Sequence, residues 1–76
     1  MSTPTTTEIA QHYSAAGDSV TLINELVAIE TLTEEETDRV KRNVEHLEIM
    51  VAKDYWTTED LAPFNSAVTA GKTKIA

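Results

Sequence analysis

The apolar residues Ile9, Tyr13, Ala16, Val20, Ile23 and Val27 recur at alternating steps of four and three. That spacing puts them on one stripe of a helix, close to a heptad seam. Leu22, Leu26 and Ile29 form a second apolar row beside it. The pattern predicts a first helix from about residue 6 to about residue 29, preceded by a frayed tail over residues 1–5. Thr5-Thr6-Thr7-Glu8 has capping-box spacing, in which the Thr5 hydroxyl accepts from the Glu8 backbone N–H and the Glu8 carboxylate reaches back. Gly17 falls inside this helix and costs it about 1 kcal/mol relative to alanine. It marks either a kink or a close backbone approach. A helix broken at Gly17-Asp18, with Ser19 as a second cap, is the alternative.

A second box, Thr33-Glu34-Glu35-Glu36, follows a short polar turn, and its three carboxylates suit the positive end of a helix dipole. Val40, Val44, Leu47 and Val51 then repeat the four-three-four spacing, with Met50 added to that face, and predict a helix over about 34–54. Asp38 and Arg42, four apart, are placed to pair on its surface. Asp54-Tyr55-Trp56-Thr57 interrupts the pattern. Pro63 belongs in the first turn of a helix, which makes Asp60 the expected N-cap of a third helix over about 61–73, with Leu61, Phe64 and Val68 as its apolar face.

The expected fold is all-α and a single domain over residues 1–76. Two long helices joined by a short turn pack as an antiparallel hairpin, and the shorter third helix folds back over one end. Tyr55, Trp56 and Phe64 would fill that junction. No period-two alternation argues for a strand.

Composition sharpens this picture. A chain of 76 residues buries only about 60% of its unfolded surface, so a lone domain is marginally stable. Without a cysteine it has neither disulfides nor thiolate zinc sites. Association with further subunits is the remaining common source of stability. The two apolar rows of the first helix, wider than one neighbouring helix covers, point the same way, and an oligomeric helical bundle is the expected extension. The candidate interface residues are Ile9, Tyr13, Val20, Leu22, Leu26 and Trp56. For Trp56 the two readings are a plug between the second and third helices, which is favoured, and an anchor for a partner.

The net charge of −7 disfavours direct contact with nucleic-acid phosphates or anionic lipid and favours a basic partner. No basic region followed by an apolar stretch opens the chain, so no signal peptide is expected, and no apolar run reaches membrane-spanning length.

Candidate chemistry is sparse. His12 and His46 would lie at similar heights in an antiparallel hairpin, His12 one turn from Glu8 and His46 beside Glu45 and near Glu48. The spacing is not that of a metal site, and both read as rim residues. Glu34, Glu35 and Glu36 are consecutive and point in different directions, so capping explains them better than an ion does. Ser14, Ser19 and Ser66 have no base nearby in sequence, and Gly17 and Gly71 are isolated, so neither nucleophilic catalysis nor a phosphate loop is supported. The expectation is a non-enzymatic structural or interaction protein with no cofactor and no metal. Its expected partner is a second copy, with another protein as the alternative. A different class of reading is an acidic regulator that binds a basic surface of a nucleic-acid enzyme.

The stretch Asn43-Val44-Glu45-His46-Leu47-Glu48-Ile49-Met50-Val51-Ala52-Lys53-Asp54-Tyr55-Trp56, with the preceding Leu32-Thr33-Glu34-Glu35, resembles small helical proteins of marine tailed phages, cyanophages especially. The resemblance runs from about Val20 to about Ile75. It implies a phage accessory or assembly component, located in the cytoplasm of an infected cell or in the virion, and assigns no residue a catalytic role.

Overall fold

Three threonines set where the helices begin. In the computed structural model, which describes residues 5–76, each is the N-cap of one helix. Thr5 caps α1 (Thr6–Val27), its hydroxyl accepting from the Glu8 N–H at 3.1 Å. The expected tail therefore lies outside the described residues except for Thr5, which the cap holds in place. Thr33 caps α2 (Glu34–Val51) with a full reciprocal box: Thr33 Oγ1 accepts from Glu36 N, and the Glu36 carboxylate accepts from Thr33 N at 2.9 Å. Those bonds from Thr33, the backbone one first, hold the Glu36 carboxyl below the ordinary glutamate value of 4.5. A depressed folded-state value means that this contribution is complete above the unfolded value and is lost as pH falls through the folded one.

The third helix departs from expectation. It begins at Thr58, not at Leu61, because Thr57 and Asp60 form another reciprocal box: Asp60 N donates to the Thr57 hydroxyl at 3.0 Å, and Thr57 N donates to the Asp60 carboxylate at 3.2 Å. Asp60 is thus the third helical residue of α3 (Thr58–Ile75) and not its cap. Two backbone donors satisfied at once outweigh the preference of Pro63 for the first turn. Pro63 consequently lies in the second turn, where its missing N–H cannot donate to the carbonyl of Glu59, an exposed residue. With 18 residues, α3 equals α2 in length.

The other two helices end earlier than their apolar pattern. α1 closes at Val27, with Ile29 N donating to Leu26 O. α2 closes at Val51 because the Met50 carbonyl is taken twice, by Lys53 N at 3.1 Å and by the Trp56 indole N–H at 2.7 Å. A continuing helix would have given that carbonyl to residue 54. α1 runs unbroken through Gly17, and nothing lies within 4 Å of where a side chain would start there. The break at Gly17-Asp18 does not occur, and the close approach expected of Gly17 is absent. Its φ is not positive. Gly17→Ala is therefore expected to stabilise the protein by about 1 kcal/mol and to raise the melting temperature by roughly 4–8 °C, read by far-ultraviolet circular dichroism.

Contacts between helices fix the arrangement. Ser19 meets His46 and His12 meets Tyr55, so α1 and α2 are antiparallel. Phe64 meets Trp56 just past the end of α2, while Lys72 pairs with Glu48 at 2.8 Å, so α3 returns along α2. Tyr13 meets Phe64 near the start of α1, and Lys74 donates to the Glu30 carbonyl beyond its end, so α1 and α3 are parallel. The result is an all-α three-helix bundle, about 43 × 21 × 17 Å, in which every helix packs on the other two. The third helix lies along the hairpin and does not merely cover one end.

Ala16, Ile23 and Leu26 of α1, Val40, Val44, Leu47 and Met50 of α2, Trp56, and Phe64 and Ala67 of α3 form the buried core. Ile75 packs against its edge. The two apolar rows of α1 now have a reason within one chain: α1 borders two helices, so its apolar stripe must be wide enough for both. The Asp38–Arg42 pair forms at 2.9 Å on the exposed face of α2 and contributes only a few tenths of a kcal/mol.

Candidate functional site: the aromatic end of the bundle

The chain has only four aromatic residues, and all four meet at one end of the bundle. The N-terminal half of α1 supplies Tyr13, the α2–α3 connection supplies Tyr55 and Trp56, and the start of α3 supplies Phe64. Trp56 stands edge-on to Tyr55 at 4.7 Å and to Phe64 at 5.4 Å between ring centroids. Tyr13 tilts across both Trp56, at 6.2 Å, and Phe64, at 5.8 Å. The His12 ring stacks on Tyr55, and Nδ1 of His12 and the Tyr55 hydroxyl share a hydrogen bond of 2.5 Å. Edge-on and tilted aromatic pairs contribute about 0.5–1.5 kcal/mol each beyond the area they bury.

Exposure divides this cluster. Phe64 is buried and Trp56 nearly so, its indole N–H satisfied by Met50. Tyr13 is 47% exposed. Its ring is tilted against both of the more buried ones. Ile9 of α1 and Leu61 of α3 are partly buried against the core. At the same end, among the described residues, lie the carboxylates of Glu8, Asp54, Glu59 and Asp60 and the ammonium of Lys53. Three of the four carboxylates belong to exposed residues, and Asp60 is engaged with Thr57 N.

The six expected interface residues are thus separated. Tyr13 is at the surface, Ile9 and Val20 are partly buried against the core, and Leu22 is half-buried. Leu26, 6% exposed, and Trp56, 8% exposed, belong to the chain's own core and present almost no surface to a partner. Trp56 is the plug and not the anchor. The ring its packing leaves open is Tyr13.

His12 and His46 do not converge. His12 faces Tyr55, whereas His46 Nδ1 and the Ser19 hydroxyl share a bond of 2.7 Å two helical turns further along α1. Among the described residues no three histidine or acidic side chains gather as metal ligands would. The Ser19–His46 pair was not legible from local sequence, because the base arrives from the other helix. It resembles the first two members of a nucleophilic site, but Ser19 is 5% exposed inside the bundle, where a substrate carbonyl has no approach. The pair instead satisfies a buried hydroxyl and ties α1 to α2 at one register. No buried side-chain polar atom among the described residues lacks a partner.

Two shallow clefts of about 330 Å³ lie elsewhere. One, at the opposite end, is bordered by Leu32, Thr37 and Lys74, with the lysine already donating to Glu30. The other sits among Glu35, Asp38, Arg39 and Arg42, two of which form the surface ion pair. Neither contains a histidine or serine. No helix among the described residues is long and apolar enough to cross a membrane. No protein-family model, curated protein or solved structure matches the chain.

Proposed function

We propose that this chain is a non-enzymatic interaction protein, an accessory or assembly component that works through the aromatic end of its bundle. The observation that carries this reading is the Tyr13 ring, 47% exposed and seated on Trp56 and Phe64. Tyrosine and tryptophan are enriched among the few residues that dominate protein interfaces. A ring already held by its neighbours loses little conformational freedom on binding. The remainder of the molecule is a scaffold with satisfied caps and a filled core, which keeps the end rigid.

The first test is solution mass by light scattering on a sizing column, at low and high salt, for the natural chain and for Tyr13→Ala. A dimer or larger species that survives salt and is lost in Tyr13→Ala means that the end binds a second copy. An assembly indifferent to Tyr13→Ala moves the interface elsewhere and removes this reading. A monomer directs the end to a foreign protein. The acidic character of the surface favours that last case, in which the chain regulates a partner through a basic surface.

A further inference from the structure

We infer that Tyr55 is a redox-active side chain, the position from which the folded chain gives up an electron to a one-electron oxidant. This is independent of the interface reading. A phenol that loses an electron becomes a strong acid, so its oxidation near neutral pH is easy only where the proton has a base to go to in the same step. The His12 imidazole stands in that place. Its Nδ1 lies 2.5 Å from the Tyr55 hydroxyl, and the two rings stack at 6.0 Å between centroids and 25° between planes. Hydrogen-bond reach to the proton is the first requirement of a general base. With the His12 proton on Nε2, the Tyr55 O–H donates to Nδ1. One electron then passes from the phenol to the oxidant, which is reduced by one. The O–H bond breaks and an N–H bond forms at Nδ1. The products are a neutral phenoxyl radical and an imidazolium, which donates back to the phenoxyl oxygen.

The other oxidisable rings of the aromatic end are not set up in this way. Trp56 donates its indole N–H to the Met50 carbonyl, and a peptide carbonyl does not take up a proton near neutral pH. Tyr13 is bonded to neither histidine of the chain, since His12 is bonded to Tyr55 and His46 to Ser19. The Trp56 ring meets both tyrosines, Tyr55 edge-on at 4.7 Å and Tyr13 at 6.2 Å. An electron lost first from Trp56 is therefore replaced from Tyr55, the nearer phenol and the one with a base in place. Tyr55 is half-buried on the α2–α3 connection, so a small oxidant also reaches it directly.

The test is pulse radiolysis of the full chain with the azide radical, which takes one electron from an aromatic side chain and becomes azide. Indolyl and phenoxyl radicals absorb at different wavelengths, so electron transfer from tyrosine to oxidised Trp56 is read as the loss of one band and the growth of the other. The expected result is a transfer whose rate does not depend on protein concentration, lost in Tyr55→Phe and retained in Tyr13→Phe. His12→Phe, which keeps a ring against Tyr55, should slow it by roughly 100-fold, the lower end of what a positioned base contributes. Heavy water should slow the transfer in the natural chain, because the O–H bond breaks as the electron leaves, and this readout needs no substitution. Circular dichroism checks that each variant is folded. A transfer that survives Tyr55→Phe and is lost in Tyr13→Phe, a rate unchanged in folded His12→Phe, no isotope effect in the natural chain, or no phenoxyl band at all would overturn the inference.

Discussion

Phe64→Ala is expected to remove about 3–5 kcal/mol of stability, a large share of what a domain of this size possesses. Phe64 is the largest of the fully buried side chains. Its ring is where α3 meets both other parts of the aromatic end: Trp56 at 5.4 Å and Tyr13 at 5.8 Å. Truncation leaves a ring-sized cavity and takes the backing away from Tyr13. At about 0.05–0.15 kcal/mol per residue, a chain this short has only roughly 4–11 kcal/mol in total, and no disulfide limits its unfolded state. The variant should therefore melt far below the natural chain, or populate the unfolded state without denaturant. Phe64→Leu, which refills most of the volume, should recover much of the loss. Urea unfolding followed by both helix circular dichroism and Trp56 fluorescence measures this. A Phe64→Ala midpoint within about 1 kcal/mol of the natural chain would show that the aromatic end does not hold α3 in place, against the expected range for a buried phenylalanine.

The helices themselves were readable because their signals are local. Thr5 and Thr33 reach backbone groups three residues away, and the four-three spacing of Val40, Val44 and Leu47 belongs to a single helix. The two misplaced boundaries have different causes, one group reaching back from beyond the helix and one local. The end of α2 depends on the indole of Trp56 reaching back to Met50, six residues earlier, so the apolar pattern overran it. The start of α3 differs for a local reason: the Thr57–Asp60 box outweighs the first-turn preference of Pro63. The greater length of α3 follows from that earlier start and from its running on to Ile75.

The candidate site was less legible than the fold. Tyr13 stood in the α1 stripe as one apolar position among six, and nothing in that stripe distinguishes an open ring from a buried one. Its exposure arises because Trp56 and Phe64 fill the space beneath it, a fact of three separated segments. The Ser19–His46 pair is similar: a hydroxyl and an imidazole 27 residues apart become neighbours only once the register of the hairpin is fixed. The usable signal was a histidine on the flank of an amphipathic helix facing a polar residue on the flank of its neighbour. It indicates that some bond forms there, without identifying its partner.

Gly71→Ala should destabilise the protein, although alanine is the better helix former by about 1 kcal/mol. Gly71 is buried in α3, four residues after buried Ala67, and faces both α1 and α2. A Cβ at Gly71 would lie 2.5 Å from Val44 Cγ2, 3.3 Å from Val40 Cγ1 and 3.4 Å from Ile23 Cγ2. Favourable carbon–carbon separations are about 3.5–4.0 Å. Val44 cannot swing aside, because a β-branched residue in a helix has one strongly preferred χ1 rotamer and this one is buried. α3 must therefore move outward, which loosens its contact with α1 and α2 together. Overpacking of this kind costs about 1–3 kcal/mol, and each net kcal/mol lowers the melting temperature by roughly 4–8 °C in a domain this small. Gly71→Val should be worse, and adding Val44→Ala to Gly71→Ala should return part of the loss, a coupling that a double-mutant cycle measures. A rise in melting temperature for Gly71→Ala would mean that α3 does not approach the hairpin as closely as described. Set beside the expected gain from Gly17→Ala, the same substitution at the two glycines of the chain carries opposite signs. Intrinsic propensity favours alanine at both, so the difference between them is a direct measure of the space that α3 leaves against Val40 and Val44.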